Sequence, residues 1–265
     1  METFANKVVV ITGAGSGIGR ELALQLAERG ARLALNDRDE AGLSETWGAL
    51  PEAARGYSRA YDVGDRAATE SFAAAVREAL GRVDMVINNA GMTLQLNPIV
   101  STDVADFERV LRVNLWGVIY GSLAFLPHLI ERPGGCLVNI SSVFGLMGFP
   151  GQGPYNVSKF GVRGFTETLR VESRGSGLQV VCVHPGGIRT NIARNAIATD
   201  RARHDRFVTN FDKMAKTTAP EAARVILDGV ARGKSRILIG RDARFIDRIT
   251  RLLPASYERI LNRRR

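Results

Sequence analysis

Short apolar runs rich in valine and isoleucine recur along the chain, and segments with a helical apolar period separate most of them. The runs lack the polar alternation of a strand that faces water, so they indicate strands buried on both faces of a parallel sheet. The predicted strands are Lys7–Thr12, Arg32–Asp37, Ser58–Val63, Met85–Ala90, Cys136–Ser142, Gln179–Val183 and Arg236–Ile239. The predicted helices lie near Ile18–Arg29, Arg66–Leu80, Thr102–Ile130, Tyr155–Glu172 and Pro220–Arg232. Repeated βα units predict an α/β fold with about seven parallel strands in a doubly wound sheet and helices on both faces.

The chain is long for one domain, but no linker, repeat or low-complexity tract divides its 265 residues. We therefore expect residues 1–240 to form a single catalytic domain, followed by an extension over residues 241–265. The run Val113–Ile130 carries no formal charge and nearly reaches the length of a membrane span. Because it contains Asn114, Pro127 and His128, we interpret it as a long buried helix.

Residues 189–217 fit the alternating pattern least well, since they are polar, mixed in charge and without clean periodicity. They follow the sixth predicted strand, and ligands of open α/β sheets bind beyond the carboxyl ends of strands. This segment is therefore predicted to be a lid over the substrate, with a plain surface loop as the alternative.

The net charge of +9 and the pI near 10.1 raise the possibility of a nucleic-acid partner. More than half of the excess lies in the last 25 residues, where eight arginines face three acidic residues, a balance of +5. No zinc, helix-turn-helix or aromatic-basic signature accompanies it, so nucleic acid is an unfavoured partner. Cys136 and Cys182 match no metal or redox spacing, and a strand begins almost at the N-terminus. We expect no metal and a reducing, cytoplasmic location.

The C-terminal extension carries an apolar stripe at helical spacing, with arginines on the other face. The stripe consists of Phe245, Ile246, Ile249, Leu252 and Leu253, and then, after Pro254, of Tyr257, Ile260 and Leu261. Such a helix can lie on an anionic membrane or pack on its own subunit or a neighbour. Packing is the favoured interpretation, because apolar stripes usually mark a core or an interface.

A glycine-rich turn, residues 12–19, joins the first predicted strand to the first helix. It matches Gly-x-x-x-Gly-x-Gly at Gly13, Gly17 and Gly19, with Ser16 and Ile18 between them. Glycines allow the backbone to turn tightly and approach a pyrophosphate, and the helix N-terminus offers free N–H groups. The turn predicts a Rossmann-type dinucleotide site.

Asp37 ends the second predicted strand, where an acidic side chain can accept hydrogen bonds from the adenosine ribose. Its charge would repel the 2′-phosphate of NADP, so NAD is favoured. Arg38 follows directly and could pair with that phosphate, which keeps NADP open.

Tyr155 and Lys159 stand four residues apart in a predicted helix, and Ser142 lies thirteen positions upstream of the tyrosine. Residues at that spacing share one helix face, so the phenol and the ammonium would be neighbours. A nearby cation favours the phenolate and would bring the pKa of the tyrosine closer to the working pH. The spacing predicts a proton-transfer site, although the same pair occurs by chance on solvated helices.

The chain resembles the short-chain dehydrogenase/reductase family, in its branch of single-domain enzymes, as far as about Gly240. The resemblance rests on motifs that follow one another in order at plausible spacing. These are the glycine turn, Asp62-Val63, Asn88-Asn89-Ala90-Gly91, Asn114, Ser141-Ser142, Tyr155-x-x-x-Lys159 and Pro185-Gly186 with Thr190.

The resemblance implies a role for each matching residue. Asp62 and Val63 would flank the adenine, while Asn89, Ala90 and Gly91 would support the nucleotide. Tyr155 would act as general acid or base, Lys159 would also bind the nicotinamide ribose, Ser142 would hold the substrate oxygen, and Asn114 would hold a water linked to Lys159. The residues that would close over the nicotinamide are Pro185, Gly186, Ile188 and Thr190. Ser141 and Ser158 lie nearby, but the spacing favours Ser142.

The expected reaction is hydride transfer between the nicotinamide and a secondary alcohol or ketone. The predicted substrate wall is mostly apolar, which favours a moderately lipophilic molecule. It contains Val143, Phe149, Gln152, Gly187, Ile188 and Ile192. The family resemblance also implies a homodimer or homotetramer, paired through the helices near Thr102–Ile130 and Tyr155–Glu172. The alternatives are an idle NAD(P)-binding sensor, which would need no proton donor, and a reductase of membrane lipids such as steroids or retinoids that uses the basic tail.

Overall fold

The protein is described by a computed structural model over residues 4–198 and 200–261, and its centre is a parallel sheet. The strands are β1 Val8–Thr12, β2 Arg32–Asp37, β3 Arg55–Ala60, β4 Met85–Asn88, β5 Cys136–Ile140, β6 Gln179–Pro185, β7 Ile188–Arg189, β8 Thr217–Thr218 and β9 Arg236–Ile239. The helices are α1 Gly17–Glu28, α2 Glu40–Ala49, α3 Arg66–Leu80, α4 Val104–Leu111, α5 Gly117–Ile130, α6 Gly153–Glu172, α7 Arg201–Met214, α8 Ala219–Ala231, α9 Arg241–Leu252 and α10 Glu258–Leu261. Seven strands form the main sheet in the order β3-β2-β1-β4-β5-β6-β9, and β7 pairs with β8 apart from it. The predicted doubly wound α/β fold is confirmed.

Both faces of the sheet are covered, which explains why the strands read as continuous apolar runs. Val9 and Ile11 of β1 face a core that they share with α1 and α8. Val10, between them, faces the opposite core, where the rings of Phe72 and Phe125 meet edge to face with centroids 6.2 Å apart. Burying each such side chain contributes about 1.5–3 kcal/mol, so β1 is stabilised from both sides.

Strand β3 begins three residues earlier than the sequence predicts, and its last predicted residues leave the sheet. The prediction was Ser58–Val63, whereas the strand is Arg55–Ala60. Asp62 instead accepts a hydrogen bond from the Gly64 N–H at 2.8 Å and pairs with Arg112 at 2.9 Å. Turn formation and an ion pair hold this aspartate outside the strand.

The predicted helix Thr102–Ile130 consists of α4, a π-helical turn Arg112–Trp116 and α5. Within residues 4–198 and 200–261, Val104–Ile130 is the one helical stretch whose length and composition suit a membrane span, and 44% of its most apolar window is buried. Its inward side, including Phe125 and Leu129, packs in the core as interpreted from the sequence. Trp116 and Leu123 are about half exposed.

A chain of polar side chains runs through the core on the α5 and α6 side of the sheet. Asn88 of β4 donates to Asn139 Oδ1 at 2.8 Å and to Ser122 Oγ of α5 at 3.1 Å. Asn139 of β5 donates in turn to Thr166 Oγ1 of α6 at 3.0 Å. All four residues are buried, and these bonds join two helices to two central strands.

About half of the predicted lid folds into a helix that the sequence analysis did not assign. Helix α7 begins after Asp200, whose carboxylate caps it by accepting the Arg203 N–H. On one side the segment is fastened by the β7–β8 pair, and on the other Gln95 donates its N–H to the Ile197 carbonyl. Thr190, Phe207 and Phe211 of this segment line the large cavity described below, and its role as a lid stays a prediction.

Candidate active site

One large cavity lies at the carboxyl ends of the central strands and has a volume of about 990 Å³. From β1 the chain adds β2 and β3 on one side of the sheet and then β4, β5 and β6 on the other, so the strand order changes direction between β1 and β4. In doubly wound folds a crevice opens at such a point. Predicted site residues that line it are Gly13, Ser16, Gly17, Ile18, Asp37, Arg38, Asp62, Val63, Asn89, Ala90, Gly91, Ser142, Val143, Phe149, Gln152, Tyr155, Lys159, Pro185, Gly186, Gly187, Ile188, Thr190 and Ile192. Gly19 and Asn114, also predicted, lie behind the wall.

The glycine turn is packed too tightly to hold side chains. Gly13 and Gly17 have φ angles of +68° and +53°, which L side chains rarely adopt. A Cβ on Gly13 would lie 2.8 Å from the Ala90 Cα. A Cβ on Gly19 would lie 1.9 Å from the Gly13 carbonyl oxygen, so α1 can approach the turn only as long as residue 19 is glycine. This is the local geometry of a phosphate cradle at a helix N-terminus.

Asn89 fixes the glycine turn to the loop that follows β4. Its side-chain amide donates to the carbonyl oxygens of Thr12 and Gly13 at 3.0 and 3.1 Å. The Thr12 hydroxyl oxygen accepts the N–H groups of Asn89 and Ala90 at 3.1 and 3.2 Å. These bonds hold two walls of the cavity in register.

Asp37 projects from the end of β2 towards the same turn. One carboxylate oxygen accepts the Gly15 N–H at 2.8 Å, and the other accepts the Asp39 N–H at 3.0 Å. Arg38 beside it is exposed and lines the cavity. The negative charge of Asp37 is therefore fixed next to the glycine turn, whereas Arg38 is not drawn into the turn's hydrogen bonds.

Ser142, Tyr155 and Lys159 meet on one side of the cavity. Ser142 follows β5, and the other two lie in the first two turns of α6. The Ser142 side chain hydrogen-bonds to the Tyr155 hydroxyl, and its Oγ also accepts the Phe144 N–H at 3.1 Å. Lys159 Nζ lies 5.5 Å from the centre of the Tyr155 ring and donates to the Ile140 carbonyl at 3.0 Å.

The pKa of the tyrosine departs from the sequence-based expectation. Burial raises the pKa of Tyr155 to about 12, and the hydrogen bond with Ser142 opposes that rise. The expected lowering of the Tyr155 pKa by Lys159 is not observed. Burial also lowers the pKa of Lys159 to about 8, so the lysine has lost its positive charge at the pH at which the phenol would ionise. Tyr155 as a whole residue is half-buried and Lys159 is 3% exposed, and burial is the largest cause of both pKa shifts. At neutral pH this protein holds a protonated phenol.

Asn114 lies within the π-helical turn, a departure from regular helix that often marks functional sites. Its side chain accepts the Met92 N–H at 2.8 Å and donates to the Met92 carbonyl at 2.9 Å. It also donates to Ser158 Oγ at 3.2 Å, and that hydroxyl donates to the Tyr155 carbonyl at 2.7 Å. Asn114 thus connects the loop after β4 to the start of α6 without reaching the cavity surface.

The two neighbouring serines of the motif have different environments. Ser141 Oγ donates to the Lys159 carbonyl at 2.8 Å and faces α6. Ser142 faces the cavity, as the sequence favoured. Behind it, His184 Nδ1 lies 3.1 Å from the Ser142 carbonyl oxygen, and burial lowers the pKa of His184 to about 4. A neutral imidazole that donates its Nδ1 proton to this carbonyl would steady the serine backbone.

The predicted substrate residues lie together on the far side of the trio, but one of them is less available than the sequence suggested. Gln152 Oε1 accepts from the Thr93 hydroxyl at 3.0 Å, and its Nε2 donates to the Leu94 carbonyl at 3.0 Å. The amide is 3% exposed, so it holds the cavity wall together. The remaining surface there is largely apolar.

Several lining residues escaped the sequence analysis because they come from segments that have no motif. They include Met92, Leu96, Phe144, Met147, Phe207, Phe211 and Met214. The apolar spacing of Phe207, Phe211 and Met214 is that of one helix face, and this signal could have revealed α7. Phe144 stacks on Phe149 with centroids 4.7 Å apart and meets the Tyr155 ring edge to face.

The C-terminal extension closes the outer end of the cavity, as far as residue 261. Asp242 accepts the Gly187 N–H at 2.8 Å beside the loop predicted to cover the nicotinamide. The Tyr257 hydroxyl accepts the Gly148 N–H at 2.9 Å on the opposite wall. Ile246 and Leu261 complete the lining, so the favoured expectation that the extension packs on its own subunit describes its inner face.

The sequence is similar to known oxidoreductases over nearly its whole length. A family model described as short chain dehydrogenase matches residues 7–201. The putative oxidoreductase SadH of Mycobacterium tuberculosis is 46% identical over 98% of this chain and 96% of its own length. The levodione reductase of Leifsonia aquatica is 35% identical over 84% of this chain and 86% of its own length.

A solved structure shares the same architecture. A short chain dehydrogenase/reductase from Burkholderia phymatum, in complex with NAD, superimposes with a TM-score of 0.86 and 29% identity. The match covers 95% of each chain.

Proposed function

The chain belongs to the short-chain dehydrogenase family and is an oxidoreductase that uses a nicotinamide cofactor. We propose that it interconverts a moderately lipophilic secondary alcohol and the corresponding ketone. In this proposal NAD is the cofactor and Tyr155 is the proton-transfer residue. The observation that carries this proposal is the meeting of Ser142, Tyr155 and Lys159 at the carboxyl edge of the sheet, opposite the glycine turn.

The residues at the glycine turn fit a dinucleotide. Close packing leaves the backbone of Gly13 and Gly17 bare towards the cavity, and a Cβ at Gly13 would collide with the loop after β4. The free N–H groups at the start of α1 suit the pyrophosphate. Asp37 and Asp62 would lie at the adenosine end, with Val63 beside them, and Thr190 and Pro185 at the nicotinamide end. When bound, the nicotinamide accepts or supplies the hydride.

The proposed proton transfer follows from the trio's geometry. Tyr155 would give its hydroxyl proton to the oxygen of a ketone, or take the proton of an alcohol. Ser142, which already bonds to that hydroxyl, would hold the same oxygen and stabilise its developing charge. Lys159 would bind the nicotinamide ribose and, while protonated, favour the phenolate. Asn114 would hold the water that links the lysine to solvent. Its side-chain hydrogen bonds leave a second acceptor position of Oδ1 and its main-chain carbonyl for this water.

The two directions of the proposed reaction need different protonation states of Tyr155. Ketone reduction requires the protonated phenol, and burial, which raises the Tyr155 pKa to about 12, maintains that form over a wide range of pH. Alcohol oxidation requires the phenolate, so it should accelerate as the pH rises.

NAD is preferred in this proposal because of the position of Asp37. Its carboxylate is held at the glycine turn by the Gly15 N–H, where a ribose hydroxyl would find an acceptor and a 2′-phosphate would meet a like charge. Arg20, which might have served a phosphate, instead pairs with Glu45 and donates to the Gly15 carbonyl.

The assembly we propose is a homodimer or homotetramer. The faces of α5 and α6 that turn away from the sheet expose Leu123, Val157 and Phe160 by 42–56%, and Trp116 of the π-helical turn by 48%. Trp116 stacks on Tyr120 with centroids 5.6 Å apart. Exposed apolar area of this kind, on neighbouring helices, suits a symmetric interface.

The test is Tyr155→Phe, with a panel of ketones and alcohols and both cofactors, read by nicotinamide absorbance. We expect the turnover number to fall by about 10²–10⁴, the usual contribution of a positioned acid or base, with unchanged NADH affinity. Thr168→Val, which removes an exposed hydroxyl from the same helix, is the control for mutating α6. Retained turnover in Tyr155→Phe would refute the assignment.

A further inference from the structure

The outward face of helix α9 carries both exposed apolar side chains and exposed arginines. Its inner side, with Ala243 and Asp247, is buried, and Ile246 faces the cavity. Phe245 and Leu252, seven positions apart, lie on one side of the outer face and are 52% and 76% exposed. Apolar exposure continues at Leu253, 38%, and Ile260, 40%, so packing against the protein leaves a second apolar stripe uncovered. We name these four apolar residues the outer stripe.

Two of the three acidic residues of this segment bond to neighbouring groups, and the third, Glu258, is exposed. Asp247 is 7% exposed and accepts from Arg236 at 2.6 Å, while the Asp242 carboxylate accepts the Gly187 N–H. Exposed arginines outnumber the exposed acidic residues, Asp242 and Glu258, so this segment carries an excess of positive charge. Those of α9 are Arg241, Arg244, Arg248 and Arg251, and Arg259 follows in α10.

We propose that the outer stripe and its arginines bind the surface of an anionic lipid bilayer. Apolar side chains next to cationic ones suit the boundary between acyl chains and anionic headgroups. The exposed aromatic ring, Phe245, is the type of side chain that inserts at this boundary. The net charge of +9 adds a longer-range attraction to the same surface.

The charge of this face argues against the other occupants. A second copy docked on it about a twofold axis would bring two arginine rows together, and like charges that face each other are unfavourable. Nucleic acid would neutralise the arginines but would leave Leu252 and Phe245 in water. An anionic bilayer satisfies both groups.

The outer stripe is close to the mouth of the cavity. Met214 of α7 is 60% exposed and also lines the cavity, and Ile246, next to Phe245 in the chain, lies on its wall. Binding to a bilayer through α9 would therefore present the opening to the lipid. A lipophilic substrate could enter from the acyl layer, and this second step rests on the proposed function.

Binding is tested by co-sedimentation of the full-length protein with vesicles of phosphatidylcholine, alone or mixed with phosphatidylglycerol. We expect binding to the mixed vesicles that weakens with added salt, and little binding to phosphatidylcholine alone. Arg244→Glu with Arg248→Glu, and separately Phe245→Ser with Leu252→Ser, should each weaken it by about tenfold or more.

Matched controls change the same chemistry elsewhere. Arg109→Glu with Arg174→Glu alters exposed arginines of α4 and of the region after α6, and Val100→Ser with Val104→Ser removes exposed apolar groups near α4. These variants should bind vesicles within about twofold of the wild type. All the altered side chains are exposed, and circular dichroism confirms folding.

The proposal is overturned if the wild type does not bind the mixed vesicles, or if the α9 variants bind as well as the controls. It is also overturned if the α9 variants change the mass measured by light scattering, since that assigns the surface to a second copy. Substrate entry is tested separately with a ketone embedded in mixed vesicles and a water-soluble ketone. The α9 variants should be slower only with the embedded ketone, and equal slowing with both ketones would refute entry from the bilayer. A wild type that reduces neither ketone would count against the proposed function and not against membrane binding.

Discussion

The substitution Gly19→Ala tests whether the nucleotide site depends on packing behind its wall. Gly19 does not line the cavity, yet its added Cβ would lie 1.9 Å from the Gly13 carbonyl oxygen and 2.6 Å from Asn89 Nδ2. Ordinary van der Waals contact begins near 3.4 Å. The turn would thus have to move by about 1.5 Å, given how little a packed interior yields.

The cost of that movement can be worked out from the contacts. Overpacking of this kind costs about 1–3 kcal/mol, and moving the Gly13 carbonyl weakens its hydrogen bond with Asn89, worth about 1 kcal/mol. A loss of about 2–4 kcal/mol lowers the melting temperature by about 4–16 °C for a chain of this size. The displaced turn should also weaken NADH binding by about tenfold or more, because its N–H groups no longer converge on the pyrophosphate.

The assay combines thermal unfolding with NADH titration followed by fluorescence. The matched control is Gly48→Ala, which places the same methyl group near the end of α2, where no atom lies within 4 Å of the added Cβ. There the substitution should be neutral or stabilise by up to about 1 kcal/mol, since alanine favours helix. A Gly19→Ala protein with wild-type melting and NADH affinity would show that our account of the turn is wrong.

Three further predictions concern charge, pH and the C-terminal extension. Asp37→Asn keeps an oxygen for the Gly15 N–H but removes the charge, so the ratio of kcat/KM for NADP to that for NAD should rise about fivefold to tenfold; an unchanged ratio would refute the repulsion argument. The kcat/KM for ketone reduction should fall as the pH rises through about 8, where Lys159 loses its proton while Tyr155 keeps its own, and a profile flat to pH 10 would contradict the pKa of the lysine. Tyr257→Phe removes the acceptor of the Gly148 N–H, so KM for lipophilic ketones should rise by about threefold to tenfold without a change in NADH affinity. An unchanged KM would show that substrate binding does not depend on this hydrogen bond.

The sequence predicted the buried strands and the glycine turn well because each depends on local chemistry. Two-sided burial requires apolar runs, as in β1, and the close approach of α1 requires Gly19. The boundaries of β3 were wrong, since the pairing of Asp62 with Arg112 joins residues 50 positions apart. Propensity in one segment carries no information about such a distant partner.

Helices at the surface and the electrostatics of the cavity were harder to predict. Helix α2 combines Gly42, Ser44 and Gly48 with few apolar residues, so it presents no clear period. The expected lowering of the Tyr155 pKa considered only the neighbouring charge of Lys159. Burial acts on both groups, and its extent is set by the surrounding segments, which only the assembled fold brings together.

The polar chain formed by Asn88, Ser122, Asn139 and Thr166 determines how this core can be redesigned. A substitution at one of these positions leaves the buried polar group of its neighbour without a hydrogen-bond partner. The changes in stability caused by substitutions at the four positions should therefore be strongly non-additive. A slide of α6 along the sheet by one residue would separate Thr166 from Asn139 and would carry Tyr155 and Lys159 with it. The position of Tyr155, the proposed proton donor, is therefore set inside the protein by the amide of Asn139, which lies 16 residues away from it in the chain.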